Sequence, residues 1–576
     1  MSLRRLRALT AGESHGPALL GILEGLPAGL PLTAALIDRD LARRQKGYGR
    51  GGRMRIEQDA AEILAGVRFG ETLGSPLGLL IRNRDWDNWT ERMSAAPGGP
   101  DPRPVQVPRP GHTDLAGALK YGRIADLRDI LERASARETA MRVGLAAAAR
   151  ALLREVGIQV GSYVRSIGTA EAESAADVAP ALAREDAEAL ALRADETETR
   201  ALTAAGSDRL VAAIQEAQRR RDTLGGVIEV IATGVPPGLG SHVQADRKLD
   251  GRLGSALLSI QAIKAVEIGD GIRGGRAYGS ETHDPIVLSG DRLARTSNHA
   301  GGIEGGITNG EPVVLRAVMK PISTVPAALP SVHLGSLELV PAHVERSDTC
   351  AVPAAGVVTE AAVSLALADA LLEALGGDTM DALRPAFARL RLAPRTRPGH
   401  VWLVGPMGAG KTEAGRRLAM LLGLPFVDLD AVVEERAGAS VAEVFRSQGE
   451  PRFRALEAEA VGSAAKGPAA VVATGGGVVL GDPAWRTMRS SGVVLGLTAS
   501  KEALLARLGT EAARRPLLTG DASAALEAVL RERRHLYRRA DLTLDTEGLG
   551  LDAVAGALVG LLRSLQGPLV RPGAAP

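Results

Sequence analysis

Residues 405–412 read GPMGAGKT: a glycine, four residues, then Gly410, Lys411 and Thr412. Residues of these types at this spacing bind the phosphates of a nucleotide. Glycines let successive backbone N–H groups turn toward one anion, and the start of a helix adds its dipole. A lysine there reaches the terminal phosphates, and the hydroxyl after it can hold Mg²⁺. A chance glycine-rich turn would lack the right flanks; here an apolar strand, VWLVG, precedes the loop and a helical run, EAGRRLAMLLG, follows. The chemistry to expect is ATP-dependent phosphoryl transfer, with Gly408, Ala409, Gly410, Lys411, Thr412 and Glu413 against the nucleotide.

What accepts the phosphoryl group depends on residues downstream. PFVDLD places Asp428 and Asp430 two apart at the end of a second strand, where alternation puts both on one face at the carboxyl edge. One such carboxylate can take a hydroxyl proton, and another can orient Mg²⁺ together with Thr412. A helix N-cap with a solvated neighbour is the other reading of this pair. Arg454 in FRALEAEA, Gly475–Gly477 in TGGG, Arg514 and Arg515 in ARRPLL, and Arg533 in RERRHLY come next.

The first 390 residues hold a different set of reactive groups. GESHG puts His15 in a glycine-flanked turn between apolar runs, and RPGHTD offers His112. A histidine held in a turn can act as a general acid near neutral pH, provided that it has a partner; without one it is as readily structural. SNHAGGIEGGITNG is glycine-rich but has the wrong spacing for a dinucleotide fingerprint, and no strand is read before it.

The elements that must position these groups fall into two patterns. After residue 400 strand, loop and helix alternate, with further strands at PFVDLD, AAVVATGG and GVVLGLT: an α/β domain with a parallel sheet. Before residue 390, β-branched runs such as GGVIEVIATGV alternate irregularly with alanine-rich helical stretches, an α+β arrangement. Residues 170–221 read as surface helices, RLAPRTRPGH as a linker over 391–399, and the last ten residues, 567–576, as a disordered tail. The domains expected are therefore 1–390 and 400–566.

Composition narrows the field. The net charge of +2 gives no support to nucleic-acid or membrane-surface binding. A single cysteine, Cys350, allows no intrachain disulfide and no cysteine-based metal cage. No signal-peptide core and no stretch approaching a membrane span is read, so a cytoplasmic enzyme is the default expectation. With aromatic residues at only 2%, the cores must be packed with Ala, Leu and Val.

From residue 400 to about 565, the order Lys411, Asp430, Arg454, Gly475–Gly477 and Arg533 resembles the shikimate kinase family. That resemblance implies a P-loop kinase with a parallel five-stranded sheet, ATP and Mg²⁺ as cofactors, and 3-phosphorylation of shikimate. Asp430 would be the base, with Arg454, Gly476 and Arg533 holding the ring and its carboxylate and Arg515 in a lid over ATP. Thr412 and Asp428 would attend the metal. Glu413 stands where the family has Ser or Thr, and His535 where Pro is common, which leaves Arg533 and Arg534 as alternatives.

From residue 3 to about 385, GESHGPALLGILEGLP, RPGHTD, ERASARETAMRVG, the SNHAGGIEGG block and ERSDTCAVPAAGVVTEAA together resemble chorismate synthase. The resemblance implies a β-α-β sandwich, reduced FMN, and 1,4-elimination of phosphate from 5-enolpyruvylshikimate 3-phosphate. His15 would protonate the departing phosphate, His112 the reduced flavin, and Asp348 would help to take the ring proton. Arg133, Ala134, Ser135, Gln261, Ala262, Gly305, Lys320, Pro321, Ile322, Ser323, Thr324 and Arg346 match flavin-contacting positions. Arg44 and Arg50 match positions for NADPH or the anionic substrate, with a basic surface loop as the other reading. The family also implies a homo-oligomer, a tetramer by analogy.

The sequence thus reads as a bifunctional enzyme of aromatic biosynthesis acting on small molecules. The two steps are not consecutive, because an enolpyruvyl transfer lies between them. The alternative is that one half is a non-catalytic ligand-binding or regulatory module.

Overall fold

The structure is a computed structural model that describes residues 3–49, 58–97, 101, 103–174, 185–345, 348–396, 399–509 and 521–565. The expected tail at 567–576 lies outside the described residues. The chain divides into two compact units, one of residues 1–285 and 296–380, the other of residues 286–295 and 381–576.

The first unit is a β-α-β sandwich. One antiparallel sheet has the order Arg7–Ala11, Ala18–Glu24, Leu77–Arg82, Ala61–Ala65. Strand ALLGILE alternates strictly, with Leu19, Gly21 and Leu23 buried and Leu20 and Ile22 facing outward, as a half-covered sheet requires. The second antiparallel sheet runs Ile263–Ile268, Val313–Met319, Gly226–Thr233, Gln159–Ile167, Ala170–Glu171. Helices Thr139–Glu155 and Val352–Leu375 pack on each other between the sheets, the first against Ala18–Glu24 and the second against Gln159–Ile167 and Gly226–Thr233. Alanine-rich faces let these layers approach closely. At Gly21 a Cβ would collide with the Met141 side chain, so a larger residue there would have to displace that side chain where the helix crosses the strand.

Helix Val352–Leu375 corrects one sequence expectation. Its 24 residues are long and apolar enough, by length and composition, to cross a bilayer. Its most apolar window is wholly buried inside the unit, and Glu360 and Asp369 on it are both satisfied by partners. Arg43, Arg150 and Arg200 donate to Glu360, while Asp369 accepts the backbone N–H groups of Arg4, Arg5 and Leu6. It is a core helix.

The stretch 170–221 does contain helices, Ala187–Ala194 and Ala204–Arg219, but they are not simply superficial. Ala187, Leu190 and Ala194 form a buried cluster with Tyr163 and Ile231. The SNHAGG segment differs too. A short strand, Arg292–Arg295, precedes it, and two-residue strands Ile303–Glu304 and Ile307–Thr308 follow where a nucleotide fingerprint would need a helix.

The second unit is an α/β fold on a five-stranded, all-parallel sheet. Its order is Phe426–Asp428, Val471–Ala473, His400–Val404, Gly492–Thr498, Leu542–Asp545. Strand His400–Val404 is central and buried throughout, so the loop that leaves its carboxyl end opens onto the crevice between neighbouring strands.

The compact unit begins ten residues before the expected linker. Helix Met380–Leu392 carries Ala388 and Leu392 into one core cluster with Val401, Leu403 and Leu418. Arg391 donates to the Gly492 carbonyl at 2.9 Å and to Asp541 at 2.7 Å. The arginine-rich segment that reads as linker is thus partly a clamp. The hairpin Ile286–Ser289/Arg292–Arg295 belongs to this unit as well, with Leu293 N–H on the Pro394 carbonyl and Arg395 paired to Asp291.

Candidate active sites

In the first unit the GESHG turn joins strands Arg7–Ala11 and Ala18–Glu24, and a network of polar side chains fixes it. Ser14 N–H donates to the Glu132 carbonyl at 3.1 Å, and His15 N–H to Glu132 Oε2 at 2.8 Å. Asn83 Nδ2 donates to the Gly16 carbonyl at 2.6 Å and is itself held by Arg137, which pairs with Asp59. His15 Nδ1 lies 2.9 Å from Glu132 Oε1. With Nδ1–H donating to that carboxylate, Nε2 is the atom left to give or take a proton. The imidazole stacks on Trp89, ring centroids 3.9 Å apart, and the guanidinium groups of Arg92 and Arg128 lie 5.1 and 5.0 Å from the same indole. Burial alone would raise the Glu132 carboxyl, but the bonds from His15 and Arg128 outweigh it and hold the carboxyl below its usual range.

His112 repeats the design. Its Nδ1 lies 2.5 Å from Asp114 Oδ1. Asp114 is fully buried and also accepts from Arg109 Nε at 2.8 Å. Burial opposes ionisation of Asp114, yet His112 and Arg109 overcome it and keep this carboxyl far below the ordinary value. Both histidines therefore carry a buried, ionised carboxylate on Nδ1, which is what a positioned general acid needs.

The flavin-matched residues are brought together around the second histidine. Arg109 Nη1 donates to Thr324 Oγ1 at 3.1 Å, and Ser323 Oγ to the Gly111 carbonyl at 2.8 Å. Lys320 N–H donates to the Ala262 carbonyl, and Thr223 Oγ1 to the Ile322 carbonyl, so segment 320–324 with Pro321 bridges loops 109–113 and 261–262. Lys320 Nζ sits 2.8 Å from Ser323 Oγ, its amine pushed down by burial and by Lys264. Gln261 Nε2 donates to Glu138, while its Oε1 is buried with no hydrogen-bond partner among the described residues. Ala262 adopts φ +67°, a left-handed conformation that a non-glycine residue holds only under constraint. Gly305, at φ +60°, has nothing within 4 Å of where a Cβ would stand. A buried acceptor without a partner, a half-buried amine and open backbone make a setting that fits a flavin ring and its phosphate.

Other positions stand apart from this group. Arg133 is exposed and ties the end of its helix to the Thr10 and Gly12 carbonyls. Ala134 ends the helix and Ser135 caps the next turn, accepting from Arg137 N–H. Arg44 is not on a surface loop: it lies buried in the last turn of helix Ala34–Gln45, donating to Thr139 Oγ1 at 3.0 Å and the Ala136 carbonyl at 2.9 Å. Asp348 is half-buried beside Thr349, whose N–H donates to the Gly49 carbonyl, and Cys350 is buried against Leu224. Arg50, Arg346, Arg514 and Arg515 lie outside the described residues.

In the second unit the phosphate loop follows the central strand and leads into helix Lys411–Leu422. Gly405, Gly408 and Gly410 all have positive φ, and Gly410 has open space where a Cβ would be, a cradle shaped for an anion. Lys411 Nζ folds over its own loop, 2.8 Å from the Gly405 carbonyl and 3.0 Å from that of Pro406. Ala409 is buried in the loop, while Glu413 points outward beside Arg417. Thr412 Oγ1 donates to Asp428 Oδ2 at 3.0 Å, a hydroxyl–carboxylate pair suited to Mg²⁺ that keeps most of its ligands as phosphate and water.

The sheet-alternation argument for Asp428 and Asp430 is corrected. The strand ends at Asp428, which caps helix Leu429–Ala437 through the Asp430 N–H at 3.1 Å, so Asp430 lies in the first helical turn. It nonetheless faces the glycine triplet: a Cβ on Gly475 would come 2.9 Å from Asp430 Oδ1 and 2.6 Å from Glu457 Oε1. Arg454 lies against Gly477 and pairs with Glu457 at 2.7 Å and Glu450 at 2.8 Å. Tyr537 Oη donates to the Gly476 carbonyl at 2.6 Å. Burial, aided by Asp430, raises the Glu457 carboxyl above its usual range. Burial also pushes the Tyr537 hydroxyl up to about 12, against the opposing charge of Arg533. Arg533 is buried in this cluster and Arg534 is exposed.

Several of these residues carry no signal in the sequence. Glu132 and Arg128 are ordinary charged residues until the fold pairs them with the His15 turn, whereas Arg109 and Asp114 flank His112 in RPGHTD. Trp89 could have been found, as one of four tryptophans in an aromatic-poor chain.

The two halves are similar to two known families. The family model for chorismate synthase matches residues 6–372, and that for shikimate kinase matches residues 407–561. A chorismate synthase from Chlorobium luteolum is 51% identical over 393 residues, 68% of this chain and 99% of its own. A crystal structure of chorismate synthase covers 67% of this chain and 97% of its own, at 45% identity and a TM-score of 0.54. The structure of shikimate kinase from Acinetobacter baumannii in complex with shikimate covers 29% of this chain and 94% of its own, at 35% identity and a TM-score of 0.28.

Proposed function

The chain belongs to the chorismate synthase family and carries a shikimate kinase domain, and from that premise we propose two reactions for this bifunctional shikimate-pathway enzyme. The first unit eliminates phosphate from 5-enolpyruvylshikimate 3-phosphate to give chorismate, with reduced FMN. The second transfers the γ-phosphoryl group of ATP to the 3-hydroxyl of shikimate, with Mg²⁺.

The elimination loses a weakly acidic ring proton and an anionic phosphate, with no net redox change. Reduced FMN, when bound, supplies transient electron density for that loss. Gln261 Oε1, the backbone at Ala262 and Gly305, and Lys320–Thr324 would hold it, and Arg133–Ser135 and Arg346 match the family's other flavin-contacting positions. His15 Nε2 holds the proton that goes to the departing phosphate, and His112 Nε2 holds one toward the flavin. Asp348 assists removal of the ring proton. Arg44 acts through Thr139 and the Ala136 carbonyl, as a brace, and Arg50 is the residue of that pair left for an anionic ligand.

In the kinase unit the loop N–H groups and Lys411 cradle the nucleotide phosphates, and Thr412 and Asp428 hold Mg²⁺. Asp430 takes the hydroxyl proton, while Arg454, Arg533 and Gly476 hold the acceptor, and Arg515 matches the family's nucleotide-lid position. The observation that carries the lyase reading is the paired design of His15–Glu132 and His112–Asp114 in one unit. Both are proton-bearing groups with their tautomer fixed, which a ligand-binding module would not need.

The deciding experiment is anaerobic phosphate release from 5-enolpyruvylshikimate 3-phosphate by the pure chain with reduced FMN, beside ATP-dependent shikimate phosphorylation. Release and phosphorylation are both expected. Loss of either identifies that half as a binding module. Replacing chemical reductant by NADPH shows whether the chain reduces its own flavin. The same reading makes the chain a cytoplasmic homotetramer, which light scattering tests.

A further inference from the structure

The two histidine–carboxylate pairs are far apart in sequence but lie on one line of alternating charge. Glu132, which holds His15, accepts from Arg128 Nη1 at 2.7 Å. Asp114, which holds His112, accepts from Arg109 Nε at 2.8 Å. Between the two arginines stands Glu345. Its Oε1 accepts from Arg128 Nη2 at 3.5 Å, and its Oε2 lies 4.0 Å from Arg109 Nη1. Arg128, Glu132, Arg109 and Asp114 are all buried, while the Glu345 side chain keeps 27% of its surface exposed, so solvent screens the line mainly at its middle.

We propose that Glu345 is a positioning residue whose single carboxylate holds both guanidinium braces and thereby couples the protonation of His15 to that of His112. The inference rests on the reading of these histidines as the acids of the lyase site. It assigns a role to a residue that touches neither imidazole.

The argument is electrostatic. Arg128 is shared between Glu132 and Glu345, with Asp101 a further 4.0 Å away on the side of Arg92. Arg109 is shared between Asp114 and Glu345. His343 Nε2 also approaches Glu345 Oε1, at 3.3 Å but not aligned for a hydrogen bond. On the His112 side a further cation among the described residues is Lys320, near Gly111. Neutralising Glu345 leaves two arginines with less counter-charge, and the added positive potential disfavours imidazolium at both ends of the line. At roughly 10 Å and an effective dielectric near 20, one charge displaces a titration by about half to one pH unit after partial screening.

The test uses the full chain with isotope-labelled histidine, and His15 and His112 resonances assigned from His15→Gln and His112→Gln. In Glu345→Gln both imidazoles are expected to titrate lower than in the wild type, by about half to one pH unit. Glu345→Asp, which keeps the charge, should restore most of both shifts. Movement of only one histidine, or of neither, overturns the coupling. A second measurement leaves Glu345 untouched: in His112→Gln, His15 should titrate higher than in wild type, and an unchanged curve likewise overturns the proposal. An unchanged denaturation midpoint of the first unit, which holds all three residues, checks that the variant chains are folded there. Failure of wild-type phosphate release would remove the lyase reading, while the titrations would still decide the coupling.

Discussion

The guanidinium of Arg454 fills the space in front of Gly477, so that a Cβ at that glycine would fall well inside van der Waals distance of it. The glycine is therefore a seat for the arginine. Gly477→Ala should push Arg454 off Glu450 and Glu457 and spoil its aim at the acceptor carboxylate. A charge-assisted hydrogen bond of about 1.5–3 kcal/mol corresponds to roughly a 10–100-fold rise in shikimate KM. The KM for ATP should change little. Steady-state phosphorylation assays check both, and an unchanged shikimate KM would take Arg454 out of the acceptor site.

The two sites use no residue in common. Lys411→Ala should cut shikimate phosphorylation by about 10²–10³-fold or more while chorismate formation continues. His15→Ala should do the reverse, lowering phosphate release by about 10²–10⁴-fold and sparing the kinase. Both activities are measured on each variant. Parallel loss of the two would show that the halves depend on each other.

The parts of this architecture legible in the sequence are those set by local pattern. The phosphate loop is a contiguous string whose flanks announce a strand and a helix, and the parallel sheet follows from the alternation after it. The histidine turns were legible as turns. The partner of His15 was not, because Glu132 becomes specific only when helix Arg128–Ala134 meets that turn in space, whereas Arg109 and Asp114 lie in the same RPGHTD turn as His112. Asp430 was misplaced on a strand because two aspartates two apart fit alternation and a capped helix equally well; the Asp428 cap decided it. Helix Val352–Leu375 escaped notice as a span-length apolar helix because Glu360 and Asp369 interrupt the run, and burial pairs both. The end of the first compact unit was obscured by arginines that read as solvent-facing linker yet clamp onto backbone carbonyls.

Acid should weaken the first unit in a defined window. His343, Arg109 and Arg128 hold the Glu345 carboxyl down to about 2 against burial, from an ordinary value of 4.5. A group depressed in the folded state contributes stability that is full above its unfolded pKa and is lost as pH falls toward the folded value. For Glu345 that window runs from about 4.5 down to about 2. Scanning calorimetry of the full chain should show the first-unit transition falling on acidification below pH 4.5, with a shallower fall in Glu345→Gln. An equal slope in the variant would show that Glu345 carries none of it.

Glu360 is the hub of a buried cluster in which Arg43, Arg150 and Arg200 donate to one carboxylate at 2.7, 2.7 and 2.9 Å. Its removal leaves three buried guanidinium groups short of a counter-charge. Glu360→Ala should therefore cost about 3–5 kcal/mol at neutral pH, read as a lower denaturation midpoint for the first unit. Replacing the four charged residues together by apolar residues of similar volume should cost far less, since desolvation of the ions is then removed with their attraction. A near-neutral Glu360→Ala would mean that water or the neighbouring Asp40 and Asp195 compensate the arginines.

The stack of His15 on Trp89 gives a last measurable consequence. The indole holds the imidazole flat at 3.9 Å while Glu132 fixes its rotation through Nδ1, so the ring has two independent restraints. An aromatic contact of this kind contributes about 0.5–1.5 kcal/mol beyond area burial, which corresponds to roughly 2–10-fold in rate if it serves only to aim Nε2. Trp89→Phe should keep most of the phosphate-release rate, because a flat ring remains, whereas Trp89→Ala should lose up to about tenfold in kcat with little change in substrate KM. Arg92 and Arg128 also face this indole, so Trp89→Ala frees both guanidinium groups from one side. If the loss appears in KM instead of kcat, Trp89 acts by placing those two cations against the anionic substrate, and the stacking account of His15 fails.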